Sequence, residues 1–300
     1  MELRHLRYFV AVAEELNFRR AAERIHISQP SLSAQIRQLE KEIGAQLLNR
    51  DTHQVSMTAA GEYFLESSRR LLNDSEDTIN TAQRISSGEI GKLTVGFIDS
   101  LGHDLVPRIL HAFHQNFPEV ELNLQQMDTT DQIRELSARA LDVGFLGLGL
   151  PEATPDLQLA LIDEEPLMAA LPEGHLLLQD NPKSISVSAL ADENFYLADR
   201  QSAPLYNPWI LVLCQQAGFT PNVIKETGAH VVVLGYIAAG LGVTILPAQF
   251  ARMATAGVRF IPLVPPVAAY RYYIAWPSKN PHVAAAHFVK TARHVAKRDR

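Results

Sequence analysis

The chain has a single cysteine, no long apolar run and no excess of positive charge, and each of these absences removes a class of protein. With Cys214 alone among 300 residues, no disulfide can close within the chain, and a reducing cytoplasm fits. No apolar stretch approaches the roughly 20 residues of a membrane helix. Behind Met1-Glu2-Leu3-Arg4-His5-Leu6 there is no apolar segment of the signal-peptide kind, so a cytoplasmic location away from membranes is expected. The net charge is −6, from 27 basic and 33 acidic residues. Residues 1–88 hold 11 basic and 12 acidic side chains, so bulk charge does not mark a nucleic-acid binder and placement has to. No HExxH motif, Cys/His cluster or phosphate loop is present among the 11 histidines and 16 glycines; His111 and His114, three apart on a helix, read as ordinary packed or exposed histidines. The chain is therefore expected not to be an enzyme and to need no metal or other cofactor.

What is present begins with a helical N-terminus. Leu3, Leu6, Phe9, Val10 and Ala13 follow amphipathic spacing, and Asn17 suits the cap of a second helix whose buried positions, Ala21, Ala22 and Ile25, are mostly small. A third helix opens at Ser28-Gln29-Pro30-Ser31, with proline in the first turn, carries Leu32, Ile36, Leu39 and Ile43 as its apolar stripe, and stops at Gly44. Its outer face is Gln29, Ser31, Ser33, Ala34 and Arg37. Short polar groups let a helix sit deep in a groove, and Ser, Gln and Arg hydrogen-bond to phosphates and base edges. An ordinary solvated face is the other reading of this helix alone. The next segment, Asn49 to Gly61, tips the balance. It predicts two short strands around Asp51–Gln54, a polar wing carrying Arg50 and His53, then a helix capped by Thr58. That helix runs to about Gly88, with Leu65, Leu72 and Ile79 seven apart and Ser68, Ser75 and Ala82 behind them, a heptad suited to a partner helix. Ser86–Gly91 reads as a flexible hinge.

From residue 92 strands and helices alternate, predicting an open, mostly parallel α/β sheet in two similar lobes. Ligands in such sheets bind beyond the carboxyl ends of strands. The first such end is Asp99-Ser100-Leu101, where Ser100 and nearby N–H groups suit an anion. The second is Met127-Asp128-Thr129-Thr130-Asp131, hydroxyls together with a helix cap, where for Thr130 and Asp131 plain capping is an equal reading. Gln201-Ser202 and Gly228 stand at comparable ends in the opposite lobe.

Ala21-Ala22, Ser28-Gln29-Pro30-Ser31-Leu32-Ser33, Leu39-Glu40, Gly44, Leu47-Leu48-x-Arg50 and Thr58-x-Ala60-Gly61 together resemble the N-terminal winged helix-turn-helix of LysR-type transcriptional regulators. "LTVGF", "FHQNFPEVEL", "LDVGF", "EEPLMAALPEGHLL" and "AAGLGVTILPA" are similar to that family's effector domain. The resemblance implies a multidomain α+β fold. A winged helix-turn-helix spans 1–60, a dimerising linker helix 61–88, and a periplasmic-binding-protein-like effector domain 89–300. In the last, lobe I covers about 92–162 and 265–300, and lobe II about 163–264. It implies DNA contacts by Arg19, Ser28, Gln29, Pro30, Ser31, Ser33, Ala34, Arg37, Arg50 and His53, and effector contacts by Asp99, Ser100, Leu101, Thr129, Thr130, Gln201, Ser202 and Gly228. The implied partners are double-stranded promoter DNA, RNA polymerase, a second or further copies of the chain (homodimer or homotetramer), and a small effector. The branch most similar governs aromatic-acid catabolism, so Ser100 and Thr129 would hold a carboxylate. Ala34 and Leu48 stand where Arg and Phe are common. Asp99 stands where a neutral residue is common, and an acid there opposes an anionic effector unless it turns away. A solute-binding protein is the rival class; it calls for a signal peptide and no helix-turn-helix.

Overall fold

The computed structural model describes residues 1–50, 55–148, 155–200, 204–253, 255–264, 267, 269–279 and 281–297, Arg50 by its backbone alone. The wing tip expected at Asp51–Gln54, with His53, and the candidates Gln201 and Ser202 lie outside the described residues. The chain forms two compact units, Met1–Arg84 and Ile85–Arg300.

The first unit is built on α1 (Leu3–Glu15), α2 (Phe18–Arg24) and α3 (Gln29–Ile43). In α1 the inward stripe is His5, Leu6, Phe9, Val12 and Ala13; Leu3 lies beyond it, 43% exposed, and Val10 is only half-buried. The stripe follows the 3.6-residue turn through Phe9, which leaves Leu3 and Val10 at its margin. Asn17 caps α2, its Oδ1 accepting from the N–H groups of Arg19 (2.9 Å) and Arg20 (3.1 Å). Ala21 and Ala22 are buried, and their small size lets α2 cross α1 and α3 closely. Ser28 caps α3, accepting from the Ser31 N–H at 3.4 Å, and Gly44 ends it with φ +74°. Leu32, Ile36 and Leu39 are buried, but Ile43, expected in the same stripe, is 37% exposed because the last turn runs past the core.

Glu40 ties α3 to the wing. Its Oε1 accepts the N–H groups of Leu47 (3.0 Å) and Leu48 (3.1 Å) at the start of β1 (Leu48–Arg50), which pairs antiparallel with β2 (Val55–Met57). Thr58 Oγ1 accepts from the Gly61 N–H (3.0 Å) and opens α4 (Ala59–Ser86). Gly61 packs against the Leu47 carbonyl so closely that a Cβ would collide with backbone. Gly61→Ala is accordingly expected to cost about 1–3 kcal/mol, the usual toll of overpacking, read as a lowered urea midpoint for the first unit at unchanged slope. Along α4, Ser68 is buried and Leu65 and Leu72 half-buried, while Leu71, Ile79 and Ile85 are 48%, 52% and 54% exposed. The heptad thus divides: its beginning packs into its own unit and its end lies open.

The second unit holds two sheets. The first contains β3 (Ile90–Phe97), β4 (Glu119–Gln126), β5 (Val143–Leu146), β6 (Leu157–Glu165) and the late strand β12, in the order β4-β3-β5-β12-β6. Helices α5 (Leu105–Asn116) and α6 (Thr129–Ser137) connect the first three strands, a 3-10 turn Asp99–His103 preceding α5. The chain passes at Pro166 into β7 (Leu167–Pro172), β8 (Asn194–Leu197), α7 (Tyr206–Gln216), β9 (Asn222–Glu226), α8 (His230–Ala238), β10 (Thr244–Pro247), a 3-10 segment Ala248–Met253 and β11 (Val258–Pro262). It returns through β12 (Tyr270–Pro277) and α9 (Val283–Lys297). In this second lobe β7 lies between β10 and β11, and a bridge from Phe195 to Val243 links the β8-β9 pair to them.

The sheets are mixed rather than mostly parallel. β3 is parallel to β4 and β5 and β8 to β9, but β12 runs antiparallel to β5 and β6, and β7 to β10 and β11. The antiparallel pairs follow from β6 and β12, the strands on which the chain leaves and re-enters the first lobe. The expected hinge at Ser86–Gly91 is instead a packed turn. Gly88, at φ +75°, is buried against Val283 and Ala284, and the Ser87 carbonyl meets His287 Nε2 at 3.1 Å.

Candidate DNA-binding face and ligand cavity

On α3 the structure leaves Ser28, Gln29, Pro30, Ser31, Ala34 and Arg37 exposed and Ser33 half-buried. Their opposite side is the buried Leu32, Ile36 and Leu39, so one helix divides into a core face and a slim polar face. Neighbouring cations are tied down: Arg20 to Glu15 at 2.7 Å, Arg24 to Glu14 at 2.7 Å, and Arg19 to Glu23 at 3.4 Å. Glu14 also receives Arg69 at 2.6 Å, and these hydrogen bonds, Arg69's first, hold its carboxyl below the usual range while joining α1 to α2 and α4. Arg37 has no ion pair or hydrogen bond among the described residues.

In the second unit a cavity of about 470 Å³ opens between the two sheets, at the carboxyl ends of β3, β4, β5 and β10 and the starts of α6, α7 and α8. From the first lobe come Ile98, Asp99, Ser100, Gln126, Met127, Asp128, Thr129, Asp131, Leu148 and Tyr270. From the second come Pro204, Leu205, Tyr206, Ala229, His230, Pro247 and Phe250. Thr129, the first residue of α6, is buried; its Oγ1 accepts the Gly147 N–H at 3.0 Å, which leaves its hydroxyl hydrogen to donate. A side chain at Gly147 would run into the Tyr270 hydroxyl, so glycine there makes room for the aromatic wall. The buried Ser100 hydroxyl is paired with that of Tyr272, which also receives the Gln249 amide. Burial pushes the phenols of Tyr206, Tyr270 and Tyr272 upward, so all three stay protonated.

Three of the expected contacts are therefore in the wall: Asp99, Ser100 and Thr129. Others are not. Leu101 turns into the core and its N–H goes to the Ile98 carbonyl at 3.1 Å. Thr130 is exposed outside the lining, because Asp128, rather than Thr130 or Asp131, caps α6, its Oδ1 accepting from both their N–H groups. Gly228, at φ +56°, lies against Val232 and lends its carbonyl to the Asp199 N–H, one residue short of the lining Ala229. Asp99 does not turn away. Its Oδ2 meets His230 Nδ1 at 3.3 Å, and its Oδ1 receives Gln126 Nε2 at 3.4 Å and faces His103 Nε2 at 3.7 Å. The His230 hydrogen bond holds the Asp99 carboxyl below the usual range. His230, Tyr206, Phe250 and Tyr270 escaped the sequence reading. His230 and Tyr206 carried a signal, since each opens a helix that follows a strand. Cys214 is buried, and burial pushes its thiol up to about 11, in keeping with a packing role. Among the described residues no metal-binding cluster and no helix long and apolar enough to cross a membrane is found.

A polar-faced helix-turn-helix with a wing, joined by a long helix to a two-lobed cavity domain, defines a ligand-responsive DNA-binding protein. Residues 3–62 match the bacterial regulatory helix-turn-helix of the lysR family, and residues 86–297 match the LysR substrate binding domain. The chain belongs to the LysR family of transcriptional regulators. It is 42% identical over 289 residues to the HTH-type transcriptional regulator YnfL of Escherichia coli K12, covering 95% of each chain. To the regulator BenM of Acinetobacter baylyi it is 35% identical over 275 residues, covering 92% of this chain and 90% of BenM. Among solved structures, the LysR-family regulator CbnR superposes with a TM-score of 0.86 at 27% identity, covering 98% of this chain and all of CbnR. CbnR is also solved with its target DNA (TM-score 0.85, 27% identity, 99% of this chain and 100% of that one). The BenM effector domain is solved with its effector benzoate, with a TM-score of 0.64 at 27% identity over 70% of this chain and 93% of that one.

Proposed function

We propose that this regulator reads promoter DNA with the polar face of α3 and senses a small carboxylic acid, aromatic or dicarboxylic, in the cavity between its lobes. The observation that carries the reading is the cavity itself: two buried hydroxyl residues, Ser100 and Thr129, stand at adjoining strand ends opposite aromatic and aliphatic walls. Hydroxyls suit one end of such a ligand and Tyr206, Phe250 and Tyr270 the rest.

Gln29, Ser31, Ser33 and Arg37 enter the major groove, with Ser28, Pro30, Ala34 and Arg19 at its edge. Arg50 and His53 of the wing touch backbone or minor groove. The open apolar end of α4 pairs with a second copy, and two winged helices then address a two-fold related site; effector domains join such dimers into a homotetramer. Ligand shifts the balance of lobe or subunit arrangements, alters DNA bending, and so changes access of RNA polymerase. The domain roles are those expected from the sequence, with DNA reading in residues 1–60, pairing in 61–88 and sensing beyond. The work is done in the cytoplasm, where the DNA is, and involves no catalysis.

Calorimetry with a panel of aromatic and dicarboxylic acids tests the cavity assignment. Ser100→Ala is expected to lose about 1.5–3 kcal/mol of acid binding, the worth of a hydrogen bond to a charged group, while retaining DNA binding. Equal binding by the variant rejects Ser100 as a ligand contact.

A further inference from the structure

Three carboxylates line the cavity, Asp99, Asp128 and Asp131, and no Lys or Arg does among the described residues. Two of the three are answered within α6: Asp128 by the N–H groups it caps, and Asp131 by Arg134 at 2.7 Å. Asp99 is answered across the cleft by a residue that can change its charge. His230 belongs to α8 in the second lobe and Asp99 to the 3-10 turn after β3 in the first, so their 3.3 Å contact spans the two lobes. The imidazole is packed between the rings of Tyr206 (5.6 Å) and Phe250 (5.0 Å). Its Nδ1 serves Asp99, and its Nε2 has no hydrogen-bond partner among the described residues.

An acid effector in this cavity meets an ionised Asp99 whose side chain is only 23% exposed, and two like charges there repel. A neutral His230 relieves neither charge. A protonated His230 answers both, with Nδ1–H on Asp99 and Nε2–H free for the ligand. We propose that the cavity takes up one proton, on the His230–Asp99 pair, with each carboxylate effector it binds, so that sensing of the acid is coupled to pH. This inference rests on the carboxylate reading given above.

The other groups facing the pair do not offer the same switch. On the Asp99–His103 turn, His103 is a second imidazole against Asp99, at 3.7 Å from its far oxygen, but it lies outside the cavity lining and so answers Asp99 without reaching the ligand. On β4, Gln126 is neutral. The phenols of Tyr206 on α7 and Tyr270 on β12 are pushed upward by burial and stay protonated, Phe250 does not titrate, and Asp128 and Asp131 are paired on α6. If the bound state holds one proton more than the free state, affinity rises as pH falls, by at most about tenfold per pH unit.

Calorimetry of the full-length protein with benzoate between pH 6 and 8, in buffers of different ionisation enthalpy, counts the proton directly. The expected result is an uptake near one proton per benzoate at the alkaline end, with affinity falling as pH rises. His230→Gln is expected to abolish the uptake. Asp99→Asn, which removes the repulsion instead, is expected to bind benzoate at pH 8 at least as tightly as wild type and with little pH dependence. Benzoate binding without proton exchange, or the same uptake in His230→Gln, overturns the proposal and leaves the carboxylate reading standing. Tighter binding of benzylamine than of benzoate, or silence of a folded, DNA-binding protein toward every acid in the panel, overturns the carboxylate reading and the proposal with it.

Discussion

Arg37→Ala is expected to weaken binding to a specific site by about 1–3 kcal/mol for each copy of α3 docked. In a dimer that sets two α3 helices on one site the loss doubles, roughly 30-fold to 10⁴-fold in affinity. The physical reason lies in what surrounds the side chain. Arg20 and Arg24 are held by Glu15 and Glu14 of their own unit, while Arg37 stands exposed, without an ion pair or hydrogen bond among the described residues, one turn beyond Ser33 and Ala34. Fluorescence anisotropy at fixed salt checks the magnitude, and a salt series identifies the contact. If Arg37 reads a base, the variant loses selectivity; if it meets a phosphate, all duplexes weaken together and the salt slope falls by about one per copy. Unchanged affinity and selectivity would remove Arg37 from the reading face.

Arg252→Met is expected to destabilise the second unit by about 2–3 kcal/mol at pH 7. Arg252 donates to Asp104 Oδ2 at 2.8 Å and to Glu165 Oε1 at 2.9 Å, so it joins the 3-10 segment after β10 to the start of α5 and the end of β6. Glu165 is only 5% exposed in its side chain, and its burial raises its pKa even with Arg252 present. Removing the guanidinium leaves a buried carboxylate uncompensated, which costs 3–5 kcal/mol at a dry site; the half-exposed arginine brings the figure down. Asp104 keeps Arg108 at 2.9 Å, so the loss falls on Glu165. With its folded pKa above its unfolded value, Glu165 binds a proton more tightly in the folded state, and its effect on stability worsens as pH rises from the unfolded value through the raised one. The deficit of Arg252→Met is therefore full near pH 7 and shrinks toward pH 4–5. Urea unfolding at both pH values measures it, and adding Glu165→Gln is expected to recover most of it. A deficit independent of pH would place the cost elsewhere than on Glu165.

The DNA-binding unit was legible in the sequence because its signals are local. Asn17, Ser28, Pro30 and Gly44 cap and punctuate helices by rules that act within four residues, and Ala21 and Ala22 report a close crossing. The failures there are marginal positions: Leu3 and Ile43, where the length of the helix outruns the core, and Val10, at the edge of the buried stripe. The second unit was harder, because what decides it is long-range. β6 mixes Gln158, Asp163, Glu164 and Glu165 into its length and is a strand because β12 pairs with it from more than a hundred residues away. The cavity was half legible. Ser100 and Thr129 stand at strand ends that can be read from the chain, and both line it. His230, Tyr206, Phe250 and Tyr270 come from elements whose placement across the cleft only the folded sheets decide. Asp99 was read as a hindrance to an anion; its partner His230, 131 residues on, is invisible to any local rule.

In the arrangement proposed, the polar face of α3 is offered twice to one duplex. Selection of bound sequences from a random library of duplexes by the full-length protein tests it most directly. The expected result is enrichment of a two-fold symmetric sequence, its half-sites separated by a whole number of helical turns, with base preference at one position of each half-site relaxed in Arg37→Ala. Failure to enrich any sequence, or enrichment of a site without symmetry that Arg37→Ala binds as well as wild type, would contradict it.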